Sequence, residues 1–290
     1  PNSIVYQYIP PIIFINSSGR ADSVKTIQQF PKNWSKNSYI VVPHNQAKEY
    51  RSENPDWSVL PVNKSVPQYL SSQRQWVMEH TAYDYIWFMD DDLKFLTRYD
   101  GIKLRTSTPK DMQTMLELVC KTADKDGISL IGISTRLGNN RVTEDYTDIT
   151  RVTQSYIVCR QTFEEVGATF APFEPFLMQD FHINLSFLKK GFPNRVIYKY
   201  AMGGAASNAK GGCSTYRTPE LMEKVAKFLA IEHEGFVTVK TKKTKGGWGG
   251  FPVDEDGNVT RTDVIVHWKK AYGKSKRLKN GISNFIKRKK

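Results

Sequence analysis

The stretch YIWFMDDDLKF carries an apolar run, residues 85–89, straight into Asp90, Asp91 and Asp92 before the chain turns apolar again. Three neighbouring carboxylates repel one another, and strand formation gives no reason to gather them. A divalent cation would give one. Mg2+ and Mn2+ prefer hard oxygen ligands and commonly take one or two carboxylates together with substrate phosphates. The plain alternative is a solvated acidic turn. The preceding apolar run weighs against it, because it sets the cluster at the end of a buried strand, where open α/β sheets bind ligands.

Other residues could do chemistry beside the triplet. Asp180 opens the helical segment 180–190. It is either a cap favoured by the helix dipole or a general base able to take a proton from a hydroxyl. Arg74, in SSQRQWVMEH, is either a solvated helix residue or an anion contact. Asn16, Ser17, Ser18, Gly19 and Arg20 form the loop after the first apolar run. Such a Gly-containing loop caps a helix or receives an anion at its N-terminus. His182 and His267 are candidates for a further metal ligand, although a lone histidine is more often structural.

The elements that must position these groups follow from periodicity. Residues 12–15, 39–42, 59–62, 86–89 and 128–133 are short apolar runs without polar alternation, which predicts strands buried on both faces. Residues 67–82 and 109–123 predict helices, the second capped by Thr108 with Asp111 three residues on. Residues 154–159 and 195–200 predict further strands. Residues 162–166 and 180–190 predict helices ended by Gly167 and Gly191. Residues 219–234 predict an amphipathic helix capped by Thr218, with Leu221, Met222, Val225, Phe228 and Leu229 on one face. The segment GGAASNAKGGCSTYR, 203–217, predicts a loop. Strands alternating with helices predict an α/β fold with a mainly parallel sheet flanked by helices. From Phe236 onward the pattern predicts a basic β-hairpin around DEDGN and a polybasic tail, which divides the chain into 1–235 and 236–290.

Composition narrows the class. With 290 residues and 39% hydrophobic content the chain can bury a full core. No run approaches the ~18 apolar residues of a membrane span, so no stable membrane association is expected. The start PNSIVYQYIP reads as neither a signal peptide nor a transit segment. Cys120, Cys159 and Cys213 lack metal spacing and read as thiols of a reducing cytoplasm. The net charge of +13 is unevenly spread: residues 236–290 hold 15 Lys/Arg against 4 Asp/Glu, whereas residues 1–235 hold 27 against 25. A tail this basic serves solubility, or it is an arm for nucleic acid or an anionic surface.

A hydrophobic strand ending in D-x-D resembles the metal and nucleotide-sugar motif of GT-A glycosyltransferases. Arg74, 16 residues before Asp90, is similar to the Arg of the A-R-N helix in family-2-like members, which faces the nucleotide diphosphate. IIFINSSGR resembles their nucleotide-contacting first βα loop. SYIVCRQTFEEVGATFAPFEPFLMQDFHINLSFLKKGFPNRV resembles the segment leading to their E-D catalytic pair, with Asp180 at the catalytic Asp and Gln179 in place of the usual Glu. The resemblance implies a GT-A, Rossmann-like fold and an inverting hexosyltransferase with Asp180 as general base. It implies Asp90 and Asp92 on Mn2+ or Mg2+, and Asn16–Arg20, Arg74, Asp90 and Asp91 on a UDP-sugar. The second strand ends VVPHN, without the D-D-x-S acids often used to hold the base, so the nucleotide stays open.

IIFINSSGRADSVKT, the triplet, MQDF and GGCSTYR together resemble the TET-associated glycosyltransferases encoded by bacteriophages, with Asn16 where a Pro is usual. These are similar to enzymes that place a sugar on 5-hydroxymethylcytosine in phage DNA. The implied partner is double-stranded DNA with a hydroxymethylated base, in the cytoplasm of a bacterial host. The basic extension fits that independently, with Lys242, Lys243, Lys245, Lys269 and Lys270 as phosphate contacts. Trp248 and Phe251 either supply stacking or wedge contacts to the DNA or pack the hairpin onto the main domain. Two other classes stay open. One is a glycosyltransferase for a bacterial surface glycan or lipid, for which Leu278, Ile282, Phe285 and Ile286 give only a weak amphipathic anchor. The other is a metal-dependent nuclease or DNA-binding module, which would need more converging carboxylates than Asp180 adds.

Overall fold

The structure is a computed structural model that describes residues 12–204, 212–245 and 251–273. Strands β1 (Ile12–Asn16), β2 (Ser38–Val42), β3 (Ser58–Pro61) and β4 (Tyr85–Asp90) run parallel in the order β3-β2-β1-β4. Ile13, Ile15, Trp87 and Met89 enter one hydrophobic cluster, and Phe14, Ile86 and Phe88 enter another. Successive side chains alternate across a strand, so these strands bury both faces, which is why their runs lack polar alternation. Truncating the fully buried Phe88 to alanine would cost about 3–5 kcal/mol.

The sheet continues through β5 (Lys94–Asp100), β6 (Lys103–Thr106), β7 (Leu130–Thr135), β8 (Tyr146–Asp148), β9 (Ser155–Cys159) and β10 (Asn194–Gly203). Among the described residues ten strands share the sheet, in the order β3-β2-β1-β4-β9-β7-β10-β5-β6, with β8 on β10. Strand β9 is antiparallel to both β4 and β7, and β10 is parallel to β7. Hence β1, β4, β7 and β10 all point the same way. Their carboxyl ends open on one edge with the starts of β9 and β5. Periodicity did not reveal β5 and β6, because KFLTRYD and KLRT interleave charged and apolar residues as half-exposed strands do.

Helices α1 (Ala47–Glu53), α2 (Leu70–His80), α3 (Pro109–Asp126), α4 (Arg160–Glu165), α5 (Gln179–Lys189), α6 (Pro219–Glu232) and α7 (Trp268–Gly273) complete the fold. The expected box caps α3: Thr108 Oγ1 accepts from the Asp111 amide at 3.2 Å, and Asp111 Oδ2 accepts from the Thr108 amide at 2.7 Å. The loop after β1 leads into 3-10 turns at Ala21–Ser23, Lys25–Gln29 and Lys32–Asn37 rather than an α-helix. The anion site expected at a helix N-terminus there has no α-helix behind it.

The hairpin expected around DEDGN is present as β11 (Val237–Lys245) and β12 (Asn258–Val266). A third hydrophobic cluster joins Leu185 and Leu188 of α5, Met222, Val225 and Leu229 of α6, Val237, Val259 and Val264 of the hairpin, Phe251, and Ala271 of α7. The extension is thus seated on the helix that carries Asp180. Phe251 is buried in this cluster. Trp248, Leu278, Ile282, Phe285 and Ile286 lie outside the described residues. Among the described residues no helix is long and apolar enough to cross a membrane.

Candidate functional site

The acidic triplet straddles a strand end, with Asp91 and Asp92 in the turn that follows β4. Asp90 ends β4 opposite Asn16 of β1. The side chains of Asp90 and Asp92 keep 26% and 17% of their surface exposed, whereas Asp91 keeps 7%. Asp91 turns inward, where Oδ2 accepts from Ser17 Oγ at 2.5 Å and Oδ1 pairs with Arg20 Nη1 at 2.7 Å. Ser17 Oγ also lies 2.7 Å from the Tyr50 hydroxyl. Thr26 clamps the turn from the other side, its hydroxyl donating to the Asp90 carbonyl at 2.6 Å and accepting from the Leu93 amide at 3.0 Å. Asp91 therefore ties the β1 loop to the end of β4, and Asp90 and Asp92 face outward.

The loop Asn16–Arg20 is largely internally satisfied. The Ser17, Gly19 and Arg20 amides donate to Val41, Gln46 and Tyr50. Gly19 has φ +67°, which a side chain would resist. Ser18 Oγ accepts from Gln46 Nε2 at 3.3 Å. The amides are thus engaged with protein groups and do not gather into an anion cradle. Arg20 Nη1 reaches 3.3 Å from Asp92 Oδ2, which puts a cation at the mouth of the triplet.

Arg74 is 2% exposed and binds Asp90 Oδ1 through Nη2 at 2.7 Å, Asn16 Oδ1 through Nε at 3.3 Å and the Tyr156 hydroxyl through Nη1 at 3.1 Å. A buried guanidinium needs such a full set of acceptors. Burial still pushes the Asp90 carboxyl up to about 6, with Asp92 and Asp91 adding to the effect and Arg74 opposing it. Burial also raises Asp91, against Ser17 and Arg20. A cluster left this short of compensating charge suits a cation. Among the described residues no three His, Cys, Asp or Glu side chains form a cage. An ion held by Asp90 and Asp92 would draw its remaining ligands from water or a diphosphate, the usual habit of Mg2+.

Asp180 sits in the first turn of α5, and its Oδ2 pairs with Arg151 Nε at 2.5 Å. Asn184, one turn on, fastens the segment that carries Arg151: its Nδ2 donates to the carbonyls of Asp180 at 2.7 Å and Val152 at 2.8 Å. The buried Tyr156 hydroxyl is pushed upward by burial, and both Asp180 and Asp90 add to the shift while Arg74 opposes it. The Asp90 and Asp180 carboxylates thus both bear on this phenol. Gln154 and Met178, at φ 58° and 55°, stand in left-handed backbone just before β9 and α5. Such backbone costs on the order of 1–3 kcal/mol and clusters at functional sites.

The other predicted site residues sit as follows. His182 is engaged with other side chains of the protein. Its Nδ1 lies 2.9 Å from His233 Nε2, its ring packs against Phe176 and Phe228, and it borders a cavity of about 240 Å³ with Ser186, Lys189 and Glu232. His267 is exposed at the start of α7, its amide bonded to the Phe236 carbonyl. Lys242 pairs with the buried Asp263 at 2.7 Å and Lys243 with Asp254 at 2.7 Å, so both are engaged within the hairpin. Lys245, Lys269 and Lys270 are exposed.

Sequence reasoning missed Tyr156, Arg151, Tyr50 and Trp268. Trp268 of α7 stacks on Phe181 at 5.9 Å, and Arg151 lies over the same ring at 4.0 Å. The extension therefore touches the support of Asp180. None of these carries a spacing signal, because each acts from an element distant in sequence.

The fold is similar to that of TarS 1–349 of S. aureus in complex with UDP-GlcNAc, at 11% identity and TM-score 0.52, over 77% of this chain and 66% of that one. The chain thus spans just under two thirds of that relative's length. A mannosyltransferase of Pyrobaculum calidifontis, in complex with GDP-Man and Mn2+, is similar at 13% identity and TM-score 0.49, over 78% of this chain and 65% of that one. A mycobacterial protein is similar at 10% identity and TM-score 0.48, over 89% and 84%. No curated protein matches the chain. The family model described as TET-Associated Glycosyltransferase matches residues 11–212. That span runs from β1 past β10 and holds the triplet, Arg74, Tyr156 and Asp180, so this α/β protein belongs to the TET-associated glycosyltransferase family.

Proposed function

We propose that the protein moves a sugar from a UDP-sugar onto the hydroxymethyl group of 5-hydroxymethylcytosine in duplex DNA, with Mn2+ or Mg2+ held by Asp90 and Asp92. The observation that carries this reading is the part-exposed pair Asp90 and Asp92 at the carboxyl end of β4, flanked by Arg74 and Arg20, together with the Arg151–Asp180 pair in the first turn of α5. A bound cation would stabilise the charge of the departing diphosphate. Asp180 would take the acceptor hydroxyl proton as the oxygen attacks the anomeric carbon. Arg151 holds Asp180 in orientation, and Arg74 keeps Asp90 fixed. Arg20, already at the mouth of the triplet, would face the diphosphate.

The DNA acceptor is favoured by charge. Almost the whole net charge lies in residues 236–290, and the described part of that segment, which carries 7 Lys/Arg against 4 Asp/Glu, is seated on α5 and α6. The family name points the same way, and the UDP-GlcNAc of TarS names a donor class to try first. The test is mass spectrometry of hydroxymethylated duplex DNA incubated with the protein, a divalent cation and a panel of UDP-sugars, with and without EDTA. A mass increase of one sugar per modified cytosine, lost with EDTA, is expected. Sugar transfer to a glycan or lipid acceptor but not to DNA would overturn the acceptor. Transfer that persists in EDTA would overturn the metal.

A further inference from the structure

The turn that leaves β7 at the carboxyl edge reads RLGNNR, residues 136–141, and Leu137 on it is 90% exposed. A single exposed apolar side chain is ordinary on a protein surface. The mounting of this one is not. Asn139 beneath it is fully buried, donating from Nδ2 to Ser134 Oγ at 2.6 Å and the Tyr198 carbonyl at 2.9 Å, and accepting from Arg98 Nη2 at 2.9 Å. Arg98 also binds the Glu144 carbonyl at 3.0 Å, which closes the far side of the loop. The Arg136 amide donates to Met202, and those of Gly138 and Asn139 donate to Thr135. The turn is a rigid platform that holds a leucine out into solvent.

The platform stands beside the reacting groups. Thr135 pairs with Met202, and Gly204, two residues on, would bring an added Cβ within 3.3 Å of Asp92 Oδ1. One strand spacing and two residue steps put the base of the turn on the order of 10 Å from Asp92. Arg136 and Arg141 flank the leucine, both exposed, and neither forms an ion pair among the described residues. By contrast Arg20, Arg74, Arg105 and Arg195 are all paired with carboxylates.

We propose that Leu137 is a wedge that enters the duplex beside the target base, with Arg136 and Arg141 on the flanking phosphates, so that the hydroxymethylated base can leave the stack for the site. This rests on the duplex-DNA reading above. Proteins that kink or open DNA insert leucine or similar apolar side chains between base steps, and a base to be modified in a duplex must be extruded. Insertion also gives the exposed leucine the apolar contact that it lacks in the free protein.

The test uses the full chain, the UDP-sugar it accepts, and one hydroxymethylated sequence as duplex and as single strand. 2-Aminopurine, which brightens when unstacked, sits beside the target base. Leu137→Ala should lower kcat/KM on the duplex roughly 10- to 100-fold and suppress the fluorescence rise, because unstacking is then unsupported. Single-strand turnover and donor affinity should stay unchanged, and Leu137→Met should restore most of the loss. Arg136→Gln with Arg141→Asn, asparagine being tolerant of the φ of 62° there, should weaken duplex binding without changing donor affinity. Equal losses on duplex and single strand, or an unaltered fluorescence rise in Leu137→Ala, would overturn the wedge while leaving the DNA acceptor standing. A wild type that glycosylates neither form of the DNA would end both.

Discussion

Asp90→Asn separates what the acidic triplet costs the fold from what it does for the reaction. Burial lifts the Asp90 carboxyl from 3.8 to about 6 even with Arg74 bonded to it. A gap of about two units between unfolded and folded values corresponds to about 3 kcal/mol. The sign follows from the direction of the shift. A raised folded pKa means that the native state holds the proton more tightly, so this contribution is complete below the unfolded value near 3.8. It is lost as pH rises through about 6. Near neutrality the wild type bears nearly the whole of that cost.

Asparagine keeps the shape of the neutral acid and leaves Oδ1 to accept from Arg74 Nη2. The variant should therefore match the wild type in stability at about pH 3.5 and exceed it by up to about 3 kcal/mol at about pH 7.5. Urea denaturation of both proteins across that range measures the difference directly, through the midpoint at constant m-value. The same variant should lose nearly all transfer activity. A divalent cation, which should raise the melting temperature of the wild type by mass action, should no longer do so. A difference that is flat with pH, or a wild type more stable than the variant near neutrality, would refute the reasoning. It would mean that the Arg74 attraction outweighs the burial of Asp90.

Asp180→Asn should retain fold and donor binding and lose about 10²–10⁴-fold in transfer, the range for a general base; single-turnover rates check it, and a near-wild-type rate would leave Asp180 as a cap only. Neutralising Lys245, Lys269 and Lys270 to Gln should flatten the slope of log duplex affinity against log salt by about 0.9 for each DNA phosphate that the variant no longer neutralises. Lys242→Gln should instead act mainly on stability, since it removes a partner from the buried Asp263; salt titrations and melting curves on both variants separate the two. Trp268→Ala should lower kcat on DNA more than it raises KM for the donor, because it loosens Phe181 and with it the Arg151–Asp180 pair; an unchanged kcat would show that α7 is only a seat for the hairpin.

The residues that could be read from the chain are those whose local pattern is also their environment. Runs such as IIFIN and YIWFM lack polar alternation because both faces are covered, and that is visible without knowing by what. Thr108 with Asp111 and Thr218 before Pro219 cap their helices through contacts three residues apart. The triplet announced itself because three adjacent acids are costly anywhere. What stayed illegible depends on elements brought together from afar. Tyr156 is an unremarked tyrosine in SYIVC until Arg74, 82 residues earlier, lays a guanidinium nitrogen on its hydroxyl. Lys242 and Lys243 looked like free cations because Asp263 and Asp254 face them only once the hairpin register is set. His182 looked available because its partner, His233, lies 51 residues on.

The triplet itself shows how a legible motif can hide its division of labour. As a string, DDD is one cluster, and each residue is equally a ligand. Asp90 ends β4, and Asp91 and Asp92 lie in the turn beyond it, where the middle acid is the most covered of the three and points into the protein. That direction leads to Ser17, Arg20 and, through Ser17, Tyr50, the residues of the loop that frames the site. Asp91 accordingly works on the scaffold. Its removal should be felt as a loose β1 loop and a weaker donor site, not as a missing ligand. Asp90 and Asp92 face outward with Arg74 and Arg20 at their flanks, each arginine touching one of them without covering it. A cation entering between those two carboxylates would relieve the repulsion that burial has made costly. The cost of gathering these carboxylates and their affinity for a divalent ion then have the same electrostatic origin.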